Sequence, residues 1–121
     1  MPQVLVVDDD DSIRRMFSTA LARLAEVDQA AGGAQAIQSL AKKKYDAVLL
    51  DLNMAGIDGL AVMKTLEDKN ALNRATPIFV ITAEGQNQTR DTAQQQSRYL
   101  ITKPVKMSLL VTLVASVLGK K

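Results

Sequence analysis

Short apolar runs alternate with amphipathic segments along the whole chain. Each run is only a few residues long and is bounded by polar or turn-forming residues, which is typical of strands buried on both faces of a parallel sheet. Four such runs occur: QVLVV (3–7), YDAVLLDL (45–52), PIFVIT (77–82) and RYLIT (98–102). The mixed segment EVDQA (26–30) is a weak second strand between the first two of them. The pattern predicts five strands.

The segments between these runs predict helices, because apolar residues recur in them every three or four positions. The first helix is expected to begin near Asp11 or Ser12, both of which are good N-cap residues. The polar segment 83–97 predicts only a marginal fourth helix. The predicted inward-facing positions of the first three helices are Ile13, Met16, Phe17, Ala20, Leu21 and Leu24, then Ala36, Ile37, Leu40 and Ala41, then Leu60, Val62, Met63 and Leu66.

The final helix, within the segment MSLLVTLVASVL (107–118), is apolar on nearly every side. Its two apolar stripes are Met107, Leu110, Val114 and Val117, and Leu109, Leu113 and Ser116. Only one stripe can face the sheet, so the other is predicted to extend an exposed patch of the kind that binds a partner. The alternative is that this helix is more buried than usual.

Strand and helix alternate five times, with connections short enough to require right-handed crossovers. This alternation predicts a doubly wound α/β domain, a (βα)5 three-layer sandwich around a five-stranded parallel sheet, and 121 residues fit one domain, 1–121. No composition shift or linker indicates an effector domain within the sequence. In such sheets, ligands bind beyond the carboxyl ends of the strands.

Composition narrows the chemistry that the chain can perform. It has no Cys and no His, so a metal must be held by oxygen ligands, which favours Mg²⁺, Mn²⁺ or Ca²⁺. Four aromatic rings (two Tyr, two Phe) and a net charge of +2 argue against direct nucleic-acid binding. No apolar run approaches the roughly 18–20 residues of a membrane span. We therefore expect no membrane insertion and a cytoplasmic location.

The chemistry-bearing residues fall where the predicted strands end. Asp8 and Asp9 end the first strand, Asp51 the third, Thr82 the fourth and Lys103 follows the fifth. The carboxylates suit an octahedral cation, whereas the lysine and the hydroxyl suit phosphoryl oxygens. A carboxylate can also be the nucleophile that forms an aspartyl phosphate. Together they predict a metal-assisted phosphoryl-transfer site.

Each of these side chains alone has an ordinary structural explanation, as a helix cap, turn residue, strand residue or surface lysine. Their convergence on one sheet edge is what favours the chemical interpretation. Asp10 and Asp11 are instead predicted to cap the first helix and to interact with its dipole. Gly56 and Gly59 are assigned to turn geometry and Asp58 to a cap on the third helix.

The sequence resembles the receiver domain of bacterial two-component response regulators over essentially its whole length. The matching pieces are VLVVDDD, DAVLLDLNMAGIDG, PIFVITA and LITKPV, in that order. The resemblance implies a flavodoxin-like fold with the strand order 2-1-3-4-5. It also implies that Asp51 is the phosphoacceptor, that Thr82 and Lys103 hold the phosphoryl oxygens, and that the bond before Pro104 is cis.

The resemblance further implies a Mg²⁺ site, with Mn²⁺ as the alternative metal. Asp9 and Asp51 would bind the metal, Asp8 would act mainly through a metal-bound water, and Asn53 would contribute its backbone carbonyl. Asn53 and Glu84, two residues after Asp51 and Thr82, resemble the positions that tune phosphoryl lifetime. The chemotaxis regulator has the same pair of residue types there.

Two positions depart from the family pattern. Ala55 stands where the family usually has proline, which is expected to loosen the loop after Asp51. Leu100 occupies the strand-five position that usually holds the aromatic switch residue, and Tyr99 lies one residue earlier. Strand alternation places Tyr99 on the opposite sheet face. Which of these two residues serves the Thr82-coupled switch is open at this point.

The resemblance implies a switch that accepts a phosphoryl group from a sensor histidine kinase or a histidine phosphotransfer protein and then dephosphorylates itself. It is not a turnover enzyme. Output is expected through the fourth helix, fifth strand and final helix (83–118), toward a protein partner or a second copy. The alternatives are an interaction scaffold with the same fold that works without phosphorylation, and a phosphohydrolase that passes through an aspartyl phosphate.

Overall fold

Five parallel strands form a single sheet in the order β2-β1-β3-β4-β5 in a computed structural model that describes residues 1–54, 59–82 and 98–119. The strands are β1 (Gln3–Val7), β2 (Glu26–Ala30), β3 (Ala47–Asp51), β4 (Ile78–Thr82) and β5 (Arg98–Thr102). All four pairings are parallel. The expected strand number, direction and order are confirmed.

Four helices lie within the described ranges: α1 (Asp11–Leu21), α2 (Gly33–Lys42), α3 (Gly59–Thr65) and α4 (Met107–Leu118). Helix α4 is the predicted final helix, because the predicted fourth helix falls in 83–97, outside the described residues. Among the helices that the structure describes, none combines the length and the apolar character needed to cross a bilayer. The flavodoxin-like α/β fold class is confirmed.

The sheet separates two apolar cores. Alternate strand residues such as Leu5, Val7 and Val48 pack with α2 and α3 on one face. Their neighbours, including Val4, Val6 and Phe79, pack with α1 and α4 on the other face. Because a strand presents successive side chains to opposite faces, the continuous apolar runs supply both cores at once.

The start of α1 follows from the acidic run. The side chain of Asp10 accepts a hydrogen bond from the backbone N–H of Ile13 at 3.0 Å, and Asp11 lies in the first turn. The predicted cap at Asp10 is confirmed, whereas Asp11 and Ser12, also named as N-cap candidates, lie within the helix. Two predicted inward positions are wrong, since Met16 is 52% exposed and Ala41 is also exposed. Met16 is adjacent in sequence to the buried residue Phe17, and Ala41 to the buried residue Leu40. Because successive residues of an α-helix point about 100° apart, Met16 and Ala41 turn toward solvent.

The stripe Met107, Leu110, Val114 and Val117 of α4 faces the sheet, with Leu110 and Val114 fully buried. In the other stripe, Leu109 is 52% exposed and Ser116 is exposed, whereas Leu113 packs against the same core. One face of α4 therefore covers the sheet and part of the second stripe remains at the surface, as the sequence predicts.

A polar network lies where β3 and β4 begin, and we call it the Tyr45 network (Asp28, Lys43, Tyr45, Asn73 and Thr76). Asn73 is fully buried; its side chain accepts from the Tyr45 N–H at 2.7 Å and from the Thr76 hydroxyl at 2.9 Å. The Asn73 amide donates to the carbonyls of Leu40 and Lys43 at 2.8 Å each. This network closes the end of α2 onto the connection between α3 and β4.

Candidate functional site

Three carboxylates meet where β1 and β3 end, because these two strands are neighbours in the sheet. Asp8 and Asp9 follow β1, and Asp51 is the last residue of β3. One carboxylate oxygen of each lies within 4.8 Å of the others, and we call the three residues the acidic cluster. Asp8 and Asp51 are buried, whereas Asp9 is exposed. The cluster is therefore open to solvent on the Asp9 side.

The backbone around Asp8 is fixed from several directions. Its N–H donates to the carbonyl of Ala30 at 3.1 Å, and its Oδ1 accepts from the N–H of Asp10 at 2.9 Å. Its carbonyl accepts from Arg14 Nη1 at 2.9 Å, and Arg14 Nε also donates to Gln29 at 3.0 Å. Arg14, a residue of α1, thus links the backbone of Asp8 to β2. The sequence did not predict this role.

Asp51 faces the only ammonium group that the described residues bring to the acidic cluster. Its Oδ1 accepts from Lys103 Nζ at 3.2 Å and from the backbone N–H of Asn53 at 2.9 Å. Lys103 in turn is held by its N–H, which donates to the carbonyl of Thr82 at 2.8 Å, and its bond to Pro104 is cis. The ends of β3, β4 and β5 are thereby tied to one another.

The side chain of Thr82 is buried at the end of β4, on the same sheet edge as Asp51 and Lys103. A cavity of about 220 Å³ opens beside Asp8 and Lys103 and is otherwise lined mainly by apolar residues of α1 and of the segment after β5. The structure therefore brings five of the predicted site residues to one edge: Asp8, Asp9, Asp51, Thr82 and Lys103.

The electrostatic environment of Asp8 disfavours its charged form. Burial raises the pKa of its carboxyl group above the ordinary value of 3.8, and the charges of Asp51 and Asp9 raise it further. The hydrogen bond from Asp10 and the charge of Lys103 act in the opposite direction but do not cancel the increase. A group of like charges held in this way is a favourable environment for a cation.

The two candidate switch residues of β5 lie on opposite faces. The ring of Tyr99 stacks on that of Phe79, with centroids 4.9 Å apart, on the face covered by α1 and α4. Leu100 pairs with Val80, whose side chain belongs to the opposite core. Tyr99 and Leu100 are 39% and 38% exposed. Because Thr82 and Val80 lie two residues apart, Leu100 shares a sheet face with Thr82 and Tyr99 does not.

Several predicted positions stay untested by geometry. Asn53 is exposed beside Asp51. Glu84, Ala55, Gly56 and Asp58 lie outside the described residues, as does the 83–97 part of the predicted output segment (83–118). Gly59, assigned to turn geometry from the sequence, is instead the first residue of α3, where an added Cβ atom would come within 2.9 Å of the Asp51 carbonyl oxygen. The only sequence signal for that contact was a glycine at the start of a helix.

The family model of the response regulator receiver domain matches residues 4–115. Among curated relatives, the chain is 39% identical to the transcriptional regulatory protein ResD of Bacillus subtilis over 89 residues, which are 73% of this chain and 35% of ResD. It is 34% identical to the transcriptional regulatory protein SrrA of Staphylococcus aureus over the same shares. The chain spans about a third of the length of these relatives.

Solved structures show the same architecture. A putative response regulator from Chloroflexus aurantiacus has a TM-score of 0.84 at 30% identity, with 98% of each chain covered. Chemotaxis protein CheY4 of Vibrio cholerae has a TM-score of 0.83 at 28% identity, covering 97% of this chain and 98% of that one. The receiver domain of sensor histidine kinase PA1611 from Pseudomonas aeruginosa, described with a magnesium ion coordinated in its active-site cleft, has a TM-score of 0.83 at 25% identity, with 98% of each covered.

Proposed function

This chain belongs to the response regulator receiver domain family, and we propose on that basis that it is a phosphoacceptor switch phosphorylated on Asp51. The observation that supports the proposal is the position of the Asp51 carboxylate, which lies within 4.8 Å of two further carboxylates and 3.2 Å from the ammonium group of Lys103. This arrangement combines a nucleophile, oxygen ligands for a cation and a positive charge for the phosphoryl oxygens.

The donor set fits Mg²⁺, because three carboxylates within 4.8 Å of one another offer hard oxygen ligands on a cluster that is open on one side. Asp9, Asp51 and the backbone carbonyl of Asn53 would bind the ion directly, and Asp8 would act mainly through a water molecule. Mg²⁺, or Mn²⁺ in its place, would neutralise negative charge on the carboxylates and the phosphoryl group.

In the proposed transfer, a carboxylate oxygen of Asp51 forms a bond to phosphorus while the bond from phosphorus to a phosphohistidine nitrogen breaks. The electron pair of that bond returns to the imidazole, which takes up a proton from solvent. Lys103, 3.2 Å from Asp51, balances the charge of the phosphoryl oxygens, and the Thr82 hydroxyl donates to one of them. Asp51 needs no general base, since its carboxylate is already the nucleophile.

The signal ends by hydrolysis of the acyl phosphate. A water oxygen bonds to phosphorus, the bond to Asp51 breaks, and inorganic phosphate leaves with the carboxylate restored. Asn53 and Glu84 are proposed to orient this water and so to set the phosphoryl lifetime. The domain catalyses only these two steps on itself and is therefore a switch rather than a turnover enzyme.

The proposed phosphodonor is a sensor histidine kinase or a histidine phosphotransfer protein in the cytoplasm, with residues 1–121 acting as one receiver domain.

Output is proposed through residues 83–118, toward a protein partner or a second copy. Leu100 rather than Tyr99 is the proposed switch residue, because Leu100 shares the Thr82 face. If so, the phosphoryl mimic beryllofluoride shifts more amide resonances in 83–118 than in 20–45; shifts confined to loops around Asp9 and Asp51 would contradict this.

Phosphorylation is tested by incubating the protein with acetyl phosphate and Mg²⁺ and measuring its intact mass. We expect the wild type to gain one phosphoryl group, and we expect no gain in Asp51→Asn or with a chelator. Asp68→Asn is the matched control, since this exposed carboxylate lies in the connection before β4, away from the acidic cluster. A wild type that gains no mass supports the scaffold alternative, and labelling that persists in Asp51→Asn assigns the acceptor elsewhere.

A further inference from the structure

Gly59, the first residue of α3, lies against the backbone at the end of β3. A Cβ atom at this position would lie 2.8 Å from the Cα atom of Leu52 and 2.9 Å from the carbonyl oxygen of Asp51. Carbon atoms in ordinary contact are roughly 3.5–4.0 Å apart. The closest atom, Cδ2 of Leu52 at 2.5 Å, belongs to a side chain and can move. The two backbone atoms cannot move without displacing the end of the strand.

That backbone is also held from the other side. The N–H of Leu52 donates to the carbonyl of Ile81 in β4 at 3.0 Å, so residues 51–52 lie between β4 and the start of α3. The N–H of Asn53 donates to Asp51 Oδ1 at 2.9 Å. A side chain at position 59 therefore fits only if α3 moves away or the backbone that presents the Asp51 carboxylate shifts.

We propose that Gly59 is a positioning residue for Asp51. Its lack of a side chain lets α3 begin directly on the Asp51 carbonyl, and this contact sets the place of the carboxylate relative to Lys103 and the other two members of the acidic cluster. The inference rests on the proposed function and adds to it a residue that acts through Asp51 without touching the phosphoryl group.

The alternative is that Gly59 matters only to α3 itself, and the two explanations predict opposite signs. Alanine has a higher helix propensity than glycine, so Gly59→Ala favours α3 if no contact opposes it. Gly32 provides a matched control, because it precedes α2 with an extended φ of −174° and a Cβ atom there would meet nothing within 4 Å. Gly32→Ala is expected to leave the acidic cluster unchanged.

The experiment compares the wild type, Gly59→Ala, Gly32→Ala and the double variant Gly59→Ala/Leu52→Ala. Phosphorylation by acetyl phosphate with Mg²⁺ is followed by intact mass, and the amide resonance of Asn53 is recorded without phosphodonor. We expect Gly59→Ala to slow phosphorylation by about 10²-fold, the scale of a roughly 1 Å misplacement of a reacting group, and to shift the Asn53 resonance. We expect wild-type behaviour from Gly32→Ala.

The double variant separates the side-chain contact from the backbone contacts, since removing the Leu52 side chain leaves its Cα atom and the Asp51 carbonyl in place. Persistent slow phosphorylation in the double variant supports the proposal, and recovery of the wild-type rate overturns it. All rates are measured with enough trimethylamine N-oxide to equalise the folded fraction. A Gly59→Ala variant that stays unfolded even with trimethylamine N-oxide also overturns the proposal. In that case the close packing of residue 59 on the backbone of Asp51 and Leu52 is needed for the whole domain to fold.

The two proposals can fail separately. If the wild type is not phosphorylated but Gly59→Ala shifts the Asn53 resonance, the proposed function fails and the positioning role stands. If the wild type is phosphorylated and Gly59→Ala matches it in rate and Asn53 resonance, only the positioning role fails.

Discussion

In the Tyr45 network, the carboxylate of Asp28 accepts hydrogen bonds from the Tyr45 hydroxyl at 2.7 Å and from Lys43 Nζ at 2.9 Å. In the acidic cluster, the carboxylate of Asp8 lies beside two others of the same charge. The hydrogen bond from Tyr45, followed by that from Lys43, lowers the pKa of Asp28, whereas burial and like charges raise that of Asp8. One sheet thus holds carboxylates in two opposite environments.

The difference teaches which polar groups stabilise the fold and which are held ready for a ligand. Each polar side-chain group of Asn73 has a hydrogen-bond partner, as structural polar groups in a core usually do. The acidic cluster collects more negative charge than Lys103 balances, which costs stability and leaves affinity for a cation. Substitutions in the two regions should therefore have opposite consequences.

The largest effect is expected from Asn73→Ala. It leaves the buried Tyr45 N–H and the Leu40 and Lys43 carbonyls without their partner, so the free energy of unfolding should fall by about 3 kcal/mol in urea titrations. Phosphorylation of the folded protein should change less than about twofold. Asn70→Ala is the control; this exposed side chain should matter by no more than about 0.5 kcal/mol. Equal losses for Asn70→Ala and Asn73→Ala would refute the structural role of the network.

Replacing an aspartate by asparagine, once in each region, is expected to have a smaller effect. The free energy of unfolding should change with opposite signs in the two regions. Asp28→Asn weakens two charge-assisted hydrogen bonds at a half-exposed site and should lower the free energy of unfolding by about 1 kcal/mol. Asp8→Asn relieves charge repulsion and should raise it by about 1 kcal/mol in the presence of a chelator, while weakening Mg²⁺ binding. Urea unfolding measures both, and changes of the same sign would break the comparison.

The pH dependence of these two differences gives the finest test. The folded state lowers the pKa of Asp28 below its ordinary value of 3.8. Its contribution to the free energy of unfolding is therefore complete above pH 3.8 and is lost as the pH falls through the lower folded-state pKa. The folded state raises the pKa of Asp8 above 3.8. The ionised carboxylate therefore lowers the free energy of unfolding at neutral pH, and this loss disappears as the pH falls through the raised folded-state pKa toward pH 3.8. On acidification, the gain from Asp8→Asn should therefore fade before the loss from Asp28→Asn. Urea titrations at about pH 7, 5 and 3 with a chelator would show the reverse order if the assignment is wrong.

Much of this molecule is readable from local sequence. The apolar runs locate four strands, and the mixed segment EVDQA (26–30) indicates β2 only weakly. The rule that parallel strands end at one edge groups Asp8, Asp51 and Lys103 without coordinates. The cap by Asp10 also follows from its neighbours in sequence.

The features that the sequence does not predict depend on residues that are distant in the chain. Little in the local sequence marks Asn73, because apart from Thr76 its side chain binds Tyr45, Lys43 and Leu40, which lie 28 to 33 positions away. The exposure of Met16 depends on how wide an arc of α1 the neighbouring elements cover, which periodicity alone does not give. The close approach of Gly59 to Leu52 likewise depends on how α3 sits on the sheet.

The strand order has a consequence for the path by which the chain folds. All three members of the acidic cluster follow β1 or lie in β3, which are adjacent, whereas Lys103 follows β5, which β4 separates from β3. We expect β2, β1 and β3 to gather the like charges before β5 brings the compensating lysine, and we expect their repulsion to raise the folding barrier. Refolding in stopped-flow experiments at low ionic strength should then accelerate on adding Mg²⁺ and in Asp8→Asn. A change confined to the unfolding rate would mean that the carboxylates meet only after the barrier has been crossed.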